Sequence, residues 1–530
     1  MGAKEVLVAV GAALGLAGVA YGYRQLQKKR KGRKALPKIS VGLYEVTKNF
    51  TGPQMPQYLL HLSRTQPTVA VLPFPSWNST VLCSDPQAAR VIFAKCGKSR
   101  RFYGVLDRFM QGSSLFTDPR PKPTQRKDLL RAFDSQSIEH FQNVSASLSR
   151  EWLATRSGVD QDFDLCQDML VLSLRTVLKA GFDNDMSVAE AETLLEQSHQ
   201  VMDEALRQAY NPIRYLLCRM KILVDNARVD REAGKALAVV EAMIEECRKK
   251  CDQENARQQA PVAAALFTSK AYEGRDEKAR LRDAVIVLLA AHDTTAFQVC
   301  WCVNDLAQHP EIQNELRKQL RSCDESRWTA EVPLLNAVVK ESQRLHSVAV
   351  AVFREALEDL ELLSGHVVES GSTVILDLFS SLRNPQYFEK PDEYVPHRWM
   401  GSAEETRKLN AAFIPFTTGL RSCIGQSLAA VQLRSLIGCL VRDFTIERTR
   451  EPVPRHSLTL EPRGLRIKLN PVAQNKDSPS HSLSLSECEG RGRRGTEAPN
   501  IASRTVTRPG SLSPSGSCRS AVGGRWVDQD

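Results

Sequence analysis

A single cysteine in the C-terminal part of the chain is framed by residues that shape the backbone around it. Cys423 lies between Gly419 and Gly425, close behind Arg421. Glycines permit a tightly bent backbone, and a thiolate that binds a metal needs backbone N–H groups directed at its sulfur. The apolar stretch 428–440 predicts a helix, whose positive end would lie near that sulfur. The segment is therefore suited to hold a metal-ligating thiolate, with an ordinary buried cysteine in a turn as the alternative.

The other cysteines carry no comparable pattern. The chain has 13 cysteines, an odd number, scattered without a repeated spacing along 530 residues. A disulfide framework is therefore not expected, and a reducing compartment fits better. Cys247 and Cys251, like Cys300 and Cys302, have no second Cys/His pair at the spacing of a zinc site. We interpret them as small apolar core or surface thiols.

The net charge of +10 is confined to the two ends of the chain. Residues 24–38 contain eight Lys or Arg and no acid, and the tail 472–530 is also basic, which leaves residues 39–471 without net charge. A nucleic-acid-binding protein would carry its basic excess on the folded body, so that class is not expected.

The N-terminus has the composition of a membrane anchor. Residues 6–23 are 18 uncharged residues, near the lower length limit of a membrane-spanning helix. The basic run 24–38 follows them, which predicts a cytosolic body by the positive-inside rule. A cleaved signal peptide and a mitochondrial presequence remain alternatives.

Apolar periodicity predicts a mainly α fold with a small β region, of the α+β type, in a single large domain over residues 39–471. Most of 125–350 reads as helix, including a long buried helix at 283–307 and another at 334–345. Short β-type runs occur at 69–72, 80–83, 366–368 and 373–376. Residues 1–38 form the predicted anchor with its basic run. The Ser-, Gly- and Arg-rich tail 472–530 is expected to be disordered.

The cysteine segment resembles the haem-binding signature of the cytochrome P450 superfamily. Phe416, Gly419, Arg421, Cys423 and Gly425 occupy every fixed position of that signature. The resemblance, which covers about 39–471, implies the cytochrome P450 fold and a haem b (iron protoporphyrin IX) cofactor. It also implies that Cys423 is the axial iron ligand and that these neighbours help to bind the haem, with Arg421 placed to pair with a propionate.

Two further segments are similar to the same family. Glu341 and Arg344 share one helix face, and with Arg398 they resemble the family's structural ion triad. Within the long helix, Asp293 and Thr294 resemble its oxygen-activation motif, which implies a proton source and a hydroxyl beside the bound oxygen. Ala291 departs from the glycine that is usual in the family, and we expect the change to be tolerated.

Two arginines are the remaining candidates for contacts with the haem. Arg126 lies where the family has a propionate arginine, although Lys122 replaces the tryptophan that normally precedes it. Arg354 lies at a second such position, without the usual prolines before it. For each arginine alone, an ordinary exposed side chain is the alternative interpretation.

Together these features predict a microsomal-type haem-thiolate monooxygenase that inserts one oxygen atom from O2 into a lipophilic substrate such as a sterol, fatty acid or terpenoid. The implied partners are NADPH–cytochrome P450 reductase, which delivers the electrons of NADPH, cytochrome b5 as a further candidate, and the endoplasmic reticulum membrane, with no nucleic acid. A haem-thiolate isomerase or dehydratase, a non-enzymatic membrane-tethered haem-binding protein and a membrane-tethered interaction protein are the alternatives.

Overall fold

The computed structural model describes residues 34–50, 53–74, 79–103, 129–156, 161–210, 217–218, 220, 226–250, 256–268, 270 and 277–472. The predicted anchor at 6–23, Lys122, Arg126 and the tail after residue 472 lie outside these residues. The statements about them therefore stay predictions.

The described residues are mainly helical, as predicted. The helices are α1 (Leu43–Phe50), α2 (Met55–Thr65), α3 (Pro86–Lys95), α4 (Arg100–Tyr103), α5 (Ser135–Arg156), α6 (Leu165–Phe182), α7 (Val188–Tyr210), α8 (Asn226–Lys250), α9 (Ala256–Gln259), α10 (Pro261–Phe267), α11 (Glu277–Gln308), α12 (Pro310–Leu320), α13 (Trp328–Glu331), α14 (Pro333–Leu345), α15 (Leu378–Ser381), α16 (Ala403–Ala412) and α17 (Gln426–Asp443).

The strands are short. They are β1 (Lys34–Ala35), β2 (Val69–Leu72), β3 (Thr80–Cys83), β4 (Gly97–Lys98), β5 (Phe163–Asp164), β6 (Ala351–Glu355), β7 (Leu360–Glu361), β8 (His366–Val368), β9 (Thr373–Asp377), β10 (Phe444–Arg450), β11 (Val453–His456), β12 (Leu460–Arg463) and β13 (Arg466–Pro471).

The largest sheet has the strand order β2-β3-β9-β6-β4. Strands β3 and β9 run parallel, with Thr80 opposite Thr373, and the other pairs in this sheet are antiparallel. Smaller sheets have the orders β10-β13-β5, β1-β8-β7 and β11-β12. The strands predicted at 69–72, 80–83 and 366–368 agree with β2, β3 and β8.

Helix α11 is the centre of the helical part. It packs against α6 and α17, and α17 also packs against α5. Its segment Ala279–Gln308 is long and apolar enough to cross a membrane, but 67% of its most apolar window is buried inside the protein. A helix that is apolar on nearly all sides fits a protein core as well as a lipid bilayer, and the packing of α11 identifies it as a core helix.

A buried carboxyl group ends the large sheet. Asp377 is fully buried and is the N-cap of α15; its Oδ1 accepts a hydrogen bond of 2.9 Å from the backbone N–H of Ser380. Its Oδ2 is buried without a hydrogen-bond partner in the described structure. Burial raises the pKa of Asp377 to about 7, although the Ser380 hydrogen bonds and Arg383 oppose the shift. The folded protein therefore holds this carboxyl group protonated up to near-neutral pH.

The contribution of Asp377 to the free energy of unfolding should consequently fall as the pH rises. Between pH 5 and pH 7 the unfolded chain has released this proton while the folded chain still retains it, so raising the pH favours unfolding. We expect the wild type to lose about 2 kcal/mol relative to Asp377→Asn over this interval, given about 1.4 kcal/mol per proton and pH unit. Denaturant midpoints of both proteins at the two pH values measure the difference.

Asp85 provides the matched control for this prediction. It caps α3 with the same type of bond, from the backbone N–H of Ala88 to Oδ1 at 2.6 Å, but from a half-buried position. Asp85→Asn should follow the pH dependence of the wild type. Parallel curves for Asp377→Asn and the wild type would contradict the prediction.

Candidate functional site

The Cys423 loop lies between α16 and α17 and is closed by its own backbone. The N–H of Cys423 donates to the carbonyl of Phe416 at 2.9 Å, and the N–H of Ser422 donates to that of Gly419 at 3.0 Å. Thr417 takes a positive φ of 60°, which a threonine rarely adopts. Helix α17 begins three residues after Cys423. The loop thus holds the sulfur of Cys423 just before a helix N-terminus, as predicted from the sequence.

Gly419 is required by a close approach of the loop to α3. Its φ is 74°, and an added Cβ would lie 2.9 Å from the carbonyl oxygen of Phe93. Gly425 differs, since an added Cβ there would meet no described atom within 4 Å. The contact with α3 therefore requires a glycine at position 419. At position 425, in contrast, the open space beside the loop leaves room for a bulky group.

Cys423 is the accessible thiol of the described chain. Of the ten cysteines that the structure describes, it is the exposed one, Cys323 is half-buried and the others are buried. Burial raises the pKa of the Cys96 thiol to about 11 and that of Cys439 to about 12. Cys96 and Cys439 are thus held as neutral core thiols, and Cys423 is the described cysteine whose exposure suits it to an external ligand.

A buried arginine lies next to the same part of α3. Arg354 on β6 is only 2% exposed, and its guanidinium carbon lies 5.1 Å from the centre of the Phe93 ring. Burial lowers its pKa, although Tyr103 and Cys96 oppose the shift. Its Nε is buried without a hydrogen-bond partner in the described structure. Since a buried guanidinium needs acceptors, Arg354 is suited to an anionic group. Through Phe93 it is linked to the loop at Gly419.

These residues fit a haem b. The exposed sulfur of Cys423 would supply the iron ligand, the space at Gly425 adjoins the loop, and the Nε–H of Arg354, which has no partner in the described structure, can donate to a propionate. Arg421 is half-buried in the loop. Arg126, the other predicted propionate partner, lies outside the described residues.

The predicted oxygen-activation residues lie in the middle of α11. Thr294 donates from its hydroxyl to the carbonyl of Ala290, one turn earlier, at 3.0 Å. The Oδ1 of Asp293 lies 2.8 Å from Nε2 of His292 and 3.1 Å from Nε2 of His199. Burial would raise the pKa of Asp293, but the two histidines beside its Oδ1 hold it below its usual range. Asp293 is thus ionised before any proton transfer, which suits it to pass on a proton rather than to retain one.

His199 is a contact that the sequence analysis missed. It lies on α7, 94 residues before Asp293 in the chain, and no spacing pattern connects the two. His292, the neighbour of Asp293, is a core side chain: it is 3% exposed, with Nδ1 3.0 Å from the carbonyl oxygen of Leu288.

The two arginines predicted to pair with Glu341 both reach it. Arg344 donates from Nε and Nη2 at 3.0 and 2.9 Å, and Arg398 donates from Nε at 3.0 Å. Trp399, which the sequence analysis missed, donates from Nε1 at 2.8 Å, and the backbone N–H of Val395 adds a further bond at 3.0 Å. Glu341 and Arg344 have no exposed side-chain surface. The group joins α14 to the segment before α16.

The apolar segment 348–353, just before Arg354, contains both buried and half-buried side chains. Val350 and Phe353 are buried in the core, and Phe353 stacks on Phe102 with 3.6 Å between ring centres. Val348 and Val352 are half-buried. The inner part of the segment therefore stabilises the fold, and the half-buried residues are those left for a ligand.

Comparison with known proteins finds one matching family. The family model of cytochrome P450 matches residues 51–469. Cytochrome P450 4F4 of Rattus norvegicus is 24% identical over 471 residues, which cover 79% of this chain and 90% of that protein.

Two fly proteins match over shorter stretches. Cytochrome P450 4d2 of Drosophila melanogaster is 32% identical over 197 residues, 35% of this chain and 38% of that protein. Cytochrome P450 315a1, mitochondrial, of the same organism is 36% identical over 191 residues, 35% of each chain. The matched part thus spans little more than a third of these two proteins.

Proposed function

The chain belongs to the cytochrome P450 family, and we propose that it is a haem-thiolate monooxygenase that inserts one oxygen atom from O2 into an organic substrate. The observation that carries the proposal is the loop of Cys423, which presents an exposed sulfur before the N-terminus of α17 and closes on α3 through Gly419. Cys423 would ligate the iron, and Arg354 and Arg421 would hold the propionates. When bound, the haem supplies oxygen binding, and its thiolate ligand favours cleavage of the O–O bond.

The residues of α11 would supply protons to this chemistry. Asp293, ionised at rest, would receive a proton at Oδ1 from the side of His199, which is partly exposed, and pass it toward the hydroxyl of Thr294. No hydrogen bond joins the Asp293 carboxylate to the Thr294 hydroxyl in the described structure, so the transfer requires a bridging water. An acid beside an alcohol in a nearly dry site is suited to this relay.

The electron source, substrate class and location are finer parts of the proposal. We infer that NADPH provides two electrons through a membrane-bound reductase, with cytochrome b5 as a second candidate donor. The uncharged segment 6–23 and the basic run 24–38 support a single-pass anchor in the endoplasmic reticulum with a cytosolic catalytic domain. A lipophilic substrate fits the apolar residues that precede Asp293 on α11.

Turnover with purified reductase tests the reaction and separates it from the alternatives. We expect the protein to consume NADPH and O2 together with a lipid substrate and to form an oxygenated product. A haem-thiolate isomerase or dehydratase would convert an oxygenated lipid without either reagent. A non-enzymatic haem-binding protein would show no turnover.

Replacing the relay carboxylate should separate proton delivery from haem binding. Asp293→Asn is expected to lower product formation about a hundredfold, the usual scale for loss of an acid–base group, with haem content and the carbon-monoxide spectrum unchanged. Asp305→Asn is the matched control, because Asp305 lies on the same helix and also contacts a histidine, His346, at 2.8 Å. Equal losses in the two variants would contradict the role of Asp293.

A further inference from the structure

Two histidines and one carboxylate meet between α7 and α11. The Nε2 atoms of His199 and His292 and a carboxylate oxygen of Asp293 all lie within 4.8 Å of one another. The two imidazole rings are nearly parallel, with 16° between their planes and 6.1 Å between their centres. His199 comes from α7 and the other two residues from α11, so the cluster joins two helices.

The ring of His292 is buried and has one nitrogen without a hydrogen-bond partner. Its Nδ1 lies 3.0 Å from the carbonyl oxygen of Leu288, and because a carbonyl only accepts, Nδ1 must carry the hydrogen. In the neutral ring Nε2 is then an acceptor. It lies 2.8 Å from the Oδ1 of Asp293, a second acceptor, and makes no hydrogen bond in the described structure.

Nε2 of His292 and Oδ1 of Asp293 lie 2.8 Å apart and need a proton or a metal cation between or beside them. A shared proton would lie on the line from Nε2 to Oδ1, and the geometry there is not that of a hydrogen bond. A metal ion can lie off that line, in contact with both atoms and with Nε2 of His199. The bond from Nδ1 of His292 to a backbone carbonyl is also the support that metal-binding histidines normally have.

The donor set and spacing fit a zinc ion. Two imidazole nitrogens and one carboxylate oxygen are a common set of three protein ligands for Zn²⁺, with a fourth position left open. The Oδ1 of Asp293 lies 2.8 and 3.1 Å from the two nitrogens. Ligand atoms about 3.3 Å apart would correspond to zinc bonds of about 2.0 Å in a tetrahedron, so small side-chain movements suffice.

An acidic cleft gives the cluster access to solvent. The cleft has a volume of about 710 Å³, and His199 lies in its wall together with Glu192, Glu196 and Asp203. Glu192 and Glu196 are exposed, and Asp203 pairs with Arg455 at 3.2 Å. Carboxylates along a cleft raise the local concentration of cations, and the side chain of His199 is 38% exposed to receive them.

We propose that His199, His292 and Asp293 bind one Zn²⁺ ion. The ion links α7 to α11 and is coordinated by the Oδ1 of Asp293. The consequence for activity rests on the proposed function: with zinc bound, Asp293 can no longer pass a proton toward Thr294, so zinc acts as an inhibitor of oxygenation.

Zinc binding by the full-length, haem-loaded protein tests the site directly. The protein is stripped with a chelator and dialysed against Zn²⁺, and zinc and iron are then counted in the same sample by elemental analysis. We expect the wild type to retain one more zinc per iron than His199→Ala. His61→Ala, which removes an exposed histidine on α2, should retain as much zinc as the wild type. Equal zinc content in His199→Ala and the wild type overturns the proposal.

Further measurements separate the metal site from the monooxygenase activity. Substitution of the part-exposed His199 avoids the core, and unchanged iron content in both variants shows that they fold. Anomalous scattering at the zinc edge should place the ion at Asp293, and density elsewhere overturns the assignment. Added zinc should lower the turnover of the wild type and of His61→Ala relative to the zinc-free rate of each, whereas the rate of His199→Ala, whatever its zinc-free value, should not change on adding zinc. If zinc binds and no substrate is oxygenated, the metal site stands and the proposed function fails.

Discussion

Replacing Cys423 with alanine is expected to abolish the strongly red-shifted Soret band of the reduced, carbon-monoxide-bound protein. The band reports a thiolate bound to haem iron, and among the described cysteines Cys423 is the exposed one. Turnover should fall more than a hundredfold, since losing a residue that only supports a metal ligand already costs about 10- to 100-fold. Difference spectra and product formation, measured beside the wild type, test both effects.

Cys323→Ala is the control for this experiment. Cys323 is half-buried and follows α12, a hundred residues before Cys423 in the chain, so its removal should leave the spectrum and turnover intact. Circular dichroism of Cys423→Ala should retain the helical signal, because the loop is closed by backbone bonds from Cys423 and Ser422 that alanine preserves at position 423. A red-shifted band that survives in Cys423→Ala would overturn the ligand assignment and the proposed function with it.

Local patterns in the sequence predicted many of the helices and strands. Short runs rich in β-branched residues located β2 and β3, because such side chains favour strands. The long core helix was predicted at 283–307 and begins earlier, at Glu277. Its first turns contain charged residues and therefore lack the apolar signal on which the prediction depended. Helix spacing allows Glu341 to pair with Arg344, and the resemblance to the family's ion triad made that pairing a prediction.

Contacts between distant segments could not be predicted in the same way. His199 meets Asp293 because α7 packs over α11, and neither residue lies in a pattern that specifies the other. Similarly, the carbonyl of Phe93 explains why Gly419 must be glycine, yet the two positions are far apart in the sequence. Trp399 is an intermediate case: it directly follows Arg398, and an aromatic side chain beside a predicted ion pair could have been tested as a hydrogen-bond donor.

Glu341→Gln is expected to destabilise the protein by about 3–5 kcal/mol, the scale for removing one partner of a buried ion pair. The carboxylate accepts two bonds from Arg344, one from Arg398 and one from Trp399. Glutamine has one acceptor oxygen and turns an N–H₂ group toward the guanidiniums. Because Arg344 has no exposed side-chain surface, its charge would be left without compensation or water. Denaturant midpoints and haem retention on heating measure the loss.

Glu315→Gln is the control, because Glu315 faces His397 at 3.0 Å on the surface, where both side chains are about half exposed. A surface pair contributes about 0–1 kcal/mol, so this variant should resemble the wild type.

An apolar replacement of both buried partners, Glu341→Leu with Arg344→Met, should recover part of the stability lost in Glu341→Gln, since it removes the uncompensated charge. Arg398 would then lose its partner but can reach solvent. A free energy of unfolding for Glu341→Gln within about 1 kcal/mol of the wild-type value is what a surface pair would give. That result would contradict the role of Glu341 in joining α14 to the segment before α16.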